Sequence, residues 1–374
     1  RRYHRRTAAR AQSVEGMIEH FDLGGGYLVS RIIKGGWQLA AGHSASVSPD
    51  PVADMLAFAR QGIDTFDCAD IYTGVESLVG EFLARNRAGA DPIPVRVHTK
   101  YVPDLDRLPG LTRRDVEHVI DRSLRRLRQE RLDMVQFHWW DTEVRGYVQV
   151  AGWLRELQQA GKIDRLSLTN FNTQATRAIL EAGIPLTTTQ VQYSLLDTRP
   201  AKSLAALCAG NGMHLLCYGT LAGGFLGDRW LGAPDPLTNS DTLENRSLTK
   251  YRLIIEEAGG WGLFQSLLET LAAIGRRHGV GIATVAARWV LEQPRVAAVI
   301  VGARDARHLD RYADWFGFSL DERDRRAIDA ARAELTVPPG DVFDLERDRS
   351  GRHGRIMKYN LGTDRTPGRG APSG

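Results

Sequence analysis

Cysteine is scarce in this chain and forms no pattern. Cys68, Cys208 and Cys217 are an odd set with no CxxC pair, so neither a disulfide framework nor a zinc site is indicated. The histidines are scattered, with no HExxH and no pair at helical spacing, and no metal is expected. No apolar run approaches the roughly 18 to 20 residues that cross a bilayer. The Arg-rich start is not followed by a secretory apolar region. No membrane partner is therefore expected. The chain reads as a soluble cytoplasmic protein, or an organellar one if the segment from Arg1 to Arg6 is the remnant of a transit peptide. A GxGxxG after the first candidate strand is also missing, which argues against a Rossmann domain. Gly24-Gly25-Gly26 precedes that strand and reads as a turn.

An excess of one charge is absent from the body of the chain. Of the net +4, residues 1–10 carry +5 and residues 350–374 carry +4, leaving the rest at −5. A mildly acidic body argues against a nucleic-acid groove, and no nucleic-acid partner is expected. The expected division is a basic arm over residues 1–26, a folded domain over 27–335, and a tail over 336–374 rich in Gly and Arg.

What is present is an alternation of short β-rich runs with longer amphipathic ones, the pattern of repeated βα units. The candidate strands are Arg31–Lys34, Ile63–Asp67, Val95–Lys100, Met134–His138, Arg165–Thr169, Thr188–Val191, His214–Tyr218 and Ala297–Val301. Between the third and fourth, Val116, Val119, Ile120, Leu124 and Leu127 recur at three- and four-residue steps, as on the buried stripe of a helix. Eight strands alternating with helices predict an α/β fold, a closed (β/α)8 TIM barrel. A stretch from Gly223 to Gly260 with clusters of Gly, Pro, Asn and Asp is too long for an ordinary βα connection, and reads as a long loop after the seventh strand.

Asp67, Lys100 and His138 end the second, third and fourth candidate strands, and Tyr72 follows Asp67 closely. Catalytic groups of such barrels converge at the carboxyl ends of the strands. A phenol titrates near pH 10 and needs a neighbouring cation to favour phenolate. Lys100 suits that role, Asp67 suits holding Lys100, and His138 suits donating a hydrogen bond to a substrate carbonyl oxygen. Such a site stabilises a developing alkoxide. The hydride that makes the alkoxide comes from no side chain, and a nicotinamide is the usual source.

The segments Phe66-Asp67-Cys68-Ala69-Asp70-Ile71-Tyr72 with Glu76 and Gly80, His98-Thr99-Lys100, Gln136-Phe137-His138, Gly161-Lys162-Ile163 with Thr169-Asn170-Phe171, and Gln190 to Leu196 resemble the aldo-keto reductase family in order and spacing. The resemblance covers roughly residues 29 to 335. It implies a barrel that binds an extended NAD(P)(H) and interconverts an aldehyde or ketone and an alcohol, with Tyr72 as general acid/base. By the same resemblance Thr169, Asn170 and Gln190 hold the nicotinamide carboxamide, and Tyr218 stacks on the ring. Gly219, Leu221 and Gly223 match the pyrophosphate loop, and Gly36 and Trp37 the first loop. After the eighth strand Gly302, Arg304 and His308 stand where the family binds the adenosine end. Arg304 favours NADP(H), with NAD(H) left open, since His308 and Tyr312 depart from the family's pattern.

The expected substrate pocket is Trp37, Tyr72, His138, Trp139 and Trp140. The partner is then a small carbonyl or alcohol. The sequence leaves its identity, the reaction direction and the oligomeric state open. Two rival readings are a cofactor-sensing subunit resembling the potassium-channel β subunits, and a barrel lyase using Lys100 as a Schiff base.

Overall fold

The computed structural model describes residues 17–40, 48–238, 243, 246–303, 305–307 and 309–361. Two short strands come first, β1 (His20–Asp22) and β2 (Leu28–Ser30), paired antiparallel with Phe21 opposite Val29. Gly24, Gly25 and Gly26 all have positive φ in the turn between them, a backbone only glycine adopts freely. The segment read as an arm and a turn thus contains a hairpin.

The barrel is built from β3 (Ile32–Gly35), β4 (Thr65–Asp67), β5 (Arg96–Tyr101), β6 (Leu132–Phe137), β7 (Ile163–Thr169), β8 (Thr188–Gln192), β9 (His214–Tyr218) and β10 (Val296–Gly302). All neighbours are parallel, and β10 pairs with β3 to close the ring. Each of the eight candidate strands is found. The connecting helices are α1 (Pro51–Arg60), α2 (Val75–Arg87), α3 (Arg113–Leu127), α4 (Tyr147–Gln159), α5 (Thr173–Glu181), α6 (Leu204–Gly210), α7 (Arg246–Glu257), α8 (Trp261–His278) and α9 (Ile282–Leu291), with α10 (Glu322–Ala333) following the last strand.

Local sequence explains these elements. In α3, Thr112 and Asp115 form a reciprocal capping box, Val116, Ile120 and Leu127 face the core, and Arg128 closes the helix in the left-handed region. Gly80 of α2 lies where a β-carbon would sit 2.0 Å from the Arg126 carbonyl oxygen, so α2 and α3 cross at a distance that only glycine permits. Glu76, buried in α2, accepts from Thr99 Oγ1 at 2.7 Å and pairs with Arg126 at 3.4 Å. That carboxylate ties helix to strand and to the neighbouring helix.

The barrel interior is layered. Tyr27 and Val29 of the hairpin pack with Ile33, Met134, Leu216 and Ala298. Arg165 donates to the Gly24 carbonyl, which sets the hairpin at the amino ends of the strands as a plug. Polar side chains gather at the opposite end.

Two stretches differ from the sequence reading. The insertion after β9 contains α7, whose Leu248, Tyr251, Ile254 and Ile255 are buried at helical spacing. The described part of the tail packs over the barrel through α11 (Asp344–Arg347) and α12 (Arg352–Arg355), with Val342 and Phe343 almost fully buried. Among the described residues no helix is long and apolar enough to cross a membrane.

Candidate active site

The site is built at the carboxyl ends of the strands. Asp67 ends β4 and Lys100 lies near the end of β5; both are buried, with Lys100 Nζ 2.5 Å from Asp67 Oδ2 and 2.9 Å from the Cys68 carbonyl. The other carboxylate oxygen, Oδ1, accepts from Gln136 Nε2 and Gln190 Nε2, both at 2.7 Å, and Gln190 also donates to Gln136 Oε1 at 2.9 Å. Three of the carboxylate's four lone-pair directions are thereby met from the barrel interior. Burial works against the Lys100 ammonium, but the Asp67 carboxylate and the Tyr72 oxygen outweigh it and raise the lysine above its ordinary value. The lysine stays protonated.

Tyr72 follows on the loop after β4, with its ring 5.0 Å from Lys100 Nζ and 4.9 Å from the Trp37 ring. Burial raises the phenol, while Lys100 opposes this by charge and by hydrogen bonding. The net direction is upward, so at rest the phenol is protonated. Sequence reasoning weighed the cation and omitted the desolvation that exceeds it.

His138 follows β6 and is 2% exposed. Its Nδ1 lies 3.1 Å from the Thr169 carbonyl oxygen. Burial pushes the ring down to about 3, so it is neutral. Trp140 meets it edge to face at 4.3 Å, and Phe343 does so at 5.5 Å. Trp139 points elsewhere. Its ring packs on Phe137 and Tyr147, and its indole N–H donates to the Val144 carbonyl, because successive strand residues face opposite sides. Trp139 is therefore core and not pocket lining, while the other expected lining residues form two contacting pairs, Trp37 with Tyr72 and His138 with Trp140.

Thr169 ends β7, and its hydroxyl donates to the Gln190 carbonyl at 3.3 Å. Asn170 takes the left-handed conformation and accepts at Oδ1 from the Tyr218 hydroxyl at 2.9 Å. Gly219 and Gly223 both have positive φ, and a β-carbon on either would collide with the Tyr251 ring of α7. Gly36 donates to the Asp67 carbonyl at 2.7 Å and leaves no space for a side chain. Trp37, Tyr72, Asn170, Tyr218, Gly219 and Leu221 are half-buried and Gly223 and Gly302 exposed. A ring-bearing Tyr218, amide side chains, and glycine turns that bare their backbone N–H groups fit a dinucleotide. Arg304 and His308 lie outside the described residues. Tyr312 packs on Trp315 and Phe58.

Four contributors were missed from sequence. Gln136 was quoted only as part of a motif. Lys250 of α7 sits 5.0 Å from the Tyr218 ring, Phe343 covers His138, and Arg347 donates to the Asn170 carbonyl. The last three come from the insertion and the tail, whose positions no strand periodicity reveals.

A closed parallel barrel with ionisable groups at its carboxyl mouth is an enzyme architecture shared by many families. The sequence over residues 31–333 matches the Aldo/keto reductase family, and the chain belongs to it. It is 30% identical over 179 residues to flagellar radial spoke protein 5 of Chlamydomonas reinhardtii, covering 44% of this chain and 34% of that protein. To the aldo-keto reductase YhdN of Bacillus subtilis it is 26% identical over 226 residues, covering 60% of this chain and 65% of the relative. These matches thus span less than two thirds of each relative. In fold it is similar to the glycerol dehydrogenase of Gluconobacter oxydans, with a TM-score of 0.69, 24% identity, and coverage of 86% of this chain and 97% of that one.

Proposed function

We propose that this protein is a nicotinamide-dependent oxidoreductase that interconverts an aldehyde or ketone and the corresponding alcohol, with Tyr72 as general acid/base. The observation that carries the reading is the buried Asp67–Lys100 ion pair set against the Tyr72 ring. When bound, the nicotinamide supplies hydride to the carbonyl carbon or takes it from the carbinol carbon. Thr169, Asn170, Gln190 and Tyr218 are the residues that would hold its ring end, with Gly219, Leu221 and Gly223 along the pyrophosphate.

In reduction, the Tyr72 hydroxyl donates its proton to the carbonyl oxygen as negative charge develops there. The phenolate left behind faces Lys100, whose ammonium is held by Asp67 and the Cys68 carbonyl and needs no rearrangement to stabilise it. In oxidation the same phenolate takes the alcohol proton. His138, Trp140 and Phe343 wall the substrate end against water.

The test is NADPH and NADH consumption over a panel of sugars, aromatic aldehydes and ketones, repeated with Tyr72→Phe. Turnover is expected to fall by about 10² to 10⁴ with cofactor affinity nearly unchanged. Near-normal turnover in the variant would remove Tyr72 from the chemistry. The preference for NADP(H) over NAD(H) rests on Arg304 in the sequence. Arg304→Ala is expected to weaken NADPH binding much more than NADH binding, and equal losses would count against that role.

A further inference from the structure

The loop that carries Tyr72 is tied at both ends, through buried carboxyl side chains, to β5, the strand that carries Lys100. Asp67 pairs in register with His98, and the parallel ladder runs on past it. Cys68 N–H donates to the His98 carbonyl at 2.8 Å, and Asp70 N–H to the Lys100 carbonyl at 3.3 Å. The same two-residue step brings the Val102 N–H to residue 70. There the main chain leaves the sheet, and Val102 donates to the Asp70 side chain, 3.2 Å from Oδ1 and 3.3 Å from Oδ2. The backbone carbonyl of Asp70 accepts from Arg126 at 3.4 Å.

Tyr72 follows in two successive turns, its N–H donating to the Ala69 carbonyl at 3.1 Å and its carbonyl accepting from Val75 N–H at 3.0 Å. These turns lead directly into α2, where Glu76 accepts from Thr99 Oγ1 of β5 at 2.7 Å. Arg126 joins the two ends, since it also donates to Glu76 Oε2 at 3.4 Å. Asp70 is 3% exposed. Burial, and then the charge of Glu76, raise its carboxyl well above the usual range, and Arg122 approaches no closer than 4.0 Å. What Val102 requires of it is an acceptor, because a buried N–H left without one keeps the full cost of its desolvation. The Asp70 side chain thus stands in for a ladder carbonyl at the point where the chain turns out toward Tyr72. Two residues further on, the Tyr72 ring lies 5.0 Å from Lys100 Nζ.

Resting on the oxidoreductase reading above, we propose that Asp70 is a positioning residue for proton transfer, whose side chain, by accepting from Val102 in place of a ladder carbonyl, holds Tyr72 against Lys100. Buried as it is, Asp70 acts through Tyr72. Its oxygen matters and its charge does not.

The experiment compares Asp70→Asn, Asp70→Glu and Asp70→Ala in the full-length protein over the carbonyl panel, with NADPH and with NADH. Asp70→Asn keeps an acceptor oxygen at the same reach, and its kcat is expected to stay within about twofold of the wild type. Asp70→Glu keeps the charge and displaces the acceptor by a methylene, and Asp70→Ala removes it. Both are expected to lose about 10- to 100-fold in kcat, the scale set by a misplacement of about 1 Å at the reacting groups. Cofactor affinity, read from quenching of tryptophan fluorescence, is expected to stay unchanged in all three. Activity kept in Asp70→Glu and lost in Asp70→Asn would show that the charge acts, and overturns the proposal. A near-normal kcat in Asp70→Ala overturns it too. If Asp70→Ala does not fold, the contrast between the other two variants decides.

Two readouts do not require turnover. The Val102 amide is expected to be protected from hydrogen exchange in the wild type and in Asp70→Asn, and to lose protection in Asp70→Glu. Carbon-13 NMR of labelled tyrosine, with the Tyr72 signal identified by its absence in Tyr72→Phe, is expected to show that signal unmoved in Asp70→Asn and displaced in Asp70→Glu. A Tyr72 signal indifferent to both substitutions overturns the proposal. A wild type inert toward every carbonyl with either cofactor, in which the Val102 and Tyr72 signals still respond as stated, would leave the anchor standing and defeat the oxidoreductase reading instead.

Discussion

Asp67 touches more of the site than any residue that meets substrate. Its two oxygens receive Lys100, Gln136 and Gln190, so one carboxylate joins β4, β5, β6 and β8 beneath Tyr72. Asp67→Asn keeps the volume and removes the charge, leaving a buried ammonium without its counter-ion. Breaking a buried pair in this way costs about 3 to 5 kcal/mol, and the melting temperature is expected to fall accordingly. The raised lysine sets the pH range of the effect. Stability from a group raised in the folded state is fully present below its unfolded value, about 10.4 for lysine, and is lost only as pH rises through the higher folded value. Urea titrations of the wild type are therefore expected to show no loss from this pair between pH 6 and 9. A variant as stable as the wild type would mean that the pair does not hold the mouth together.

At the scale of elements, the eight strands and the helices between them were legible because each carries its own periodicity. Asp67, Lys100 and His138 were legible as a group because each lies at or beside the end of its strand, and β4, β5 and β6 are adjacent in the barrel. The hairpin escaped because three-residue strands have no period to read, although its glycines did announce the turn. Helix α7 escaped because its apolar positions follow a run dense in Gly, Pro and Asn. The tail escaped for a different reason, since it is held by tertiary charge. Glu346 of α11 is buried 3.4 Å from Arg199 and 3.5 Å from Lys250, with Arg199 itself clamped by Asp197 at 2.7 Å. Burial alone would raise the Glu346 carboxyl, but Lys250 and Arg199 bring it down to about 2 from an ordinary 4.5.

A depressed carboxyl contributes stability that is present above its unfolded value and lost as pH falls through the folded one. The docking of the tail on α7 should therefore weaken between about pH 4.5 and pH 2, by on the order of 3 kcal/mol in total. Glu346→Gln is expected to lack that part of the acid sensitivity while being less stable at neutral pH. Near-UV circular dichroism of the Trp140 and Tyr359 contact, whose rings lie 5.2 Å apart, would follow it. Identical acid transitions in variant and wild type would show that the ion pairs do not hold the tail.

Across the whole molecule the barrel separates stability from chemistry along its axis. At the amino end Tyr27 is enclosed, with the Arg96 and Arg165 guanidinium groups 4.6 Å and 5.4 Å from its ring centre and His98 stacked at 6.2 Å. Lys100 lies four residues further along the same strand as Arg96, roughly 13 Å at strand rise. Tyr27→Ala opens a cavity under the plug and leaves two cations without their aromatic face, and is expected to cost about 3 to 5 kcal/mol.

Tyr27→Phe should cost little, because the Tyr27 hydroxyl is buried with no protein partner, and removing an unmet polar atom relieves its desolvation. Well below the melting temperature both variants are expected to keep kcat within about twofold, since groups at the bottom of such a barrel support stability and those at the top support reaction. Tyr72→Phe has the opposite signature, with turnover lost and melting little changed. A kcat that fell in Tyr27→Phe would reveal a link from the base of the barrel to Asp67 through His98, which carries its uncharged ring on the same face of β5 as Lys100.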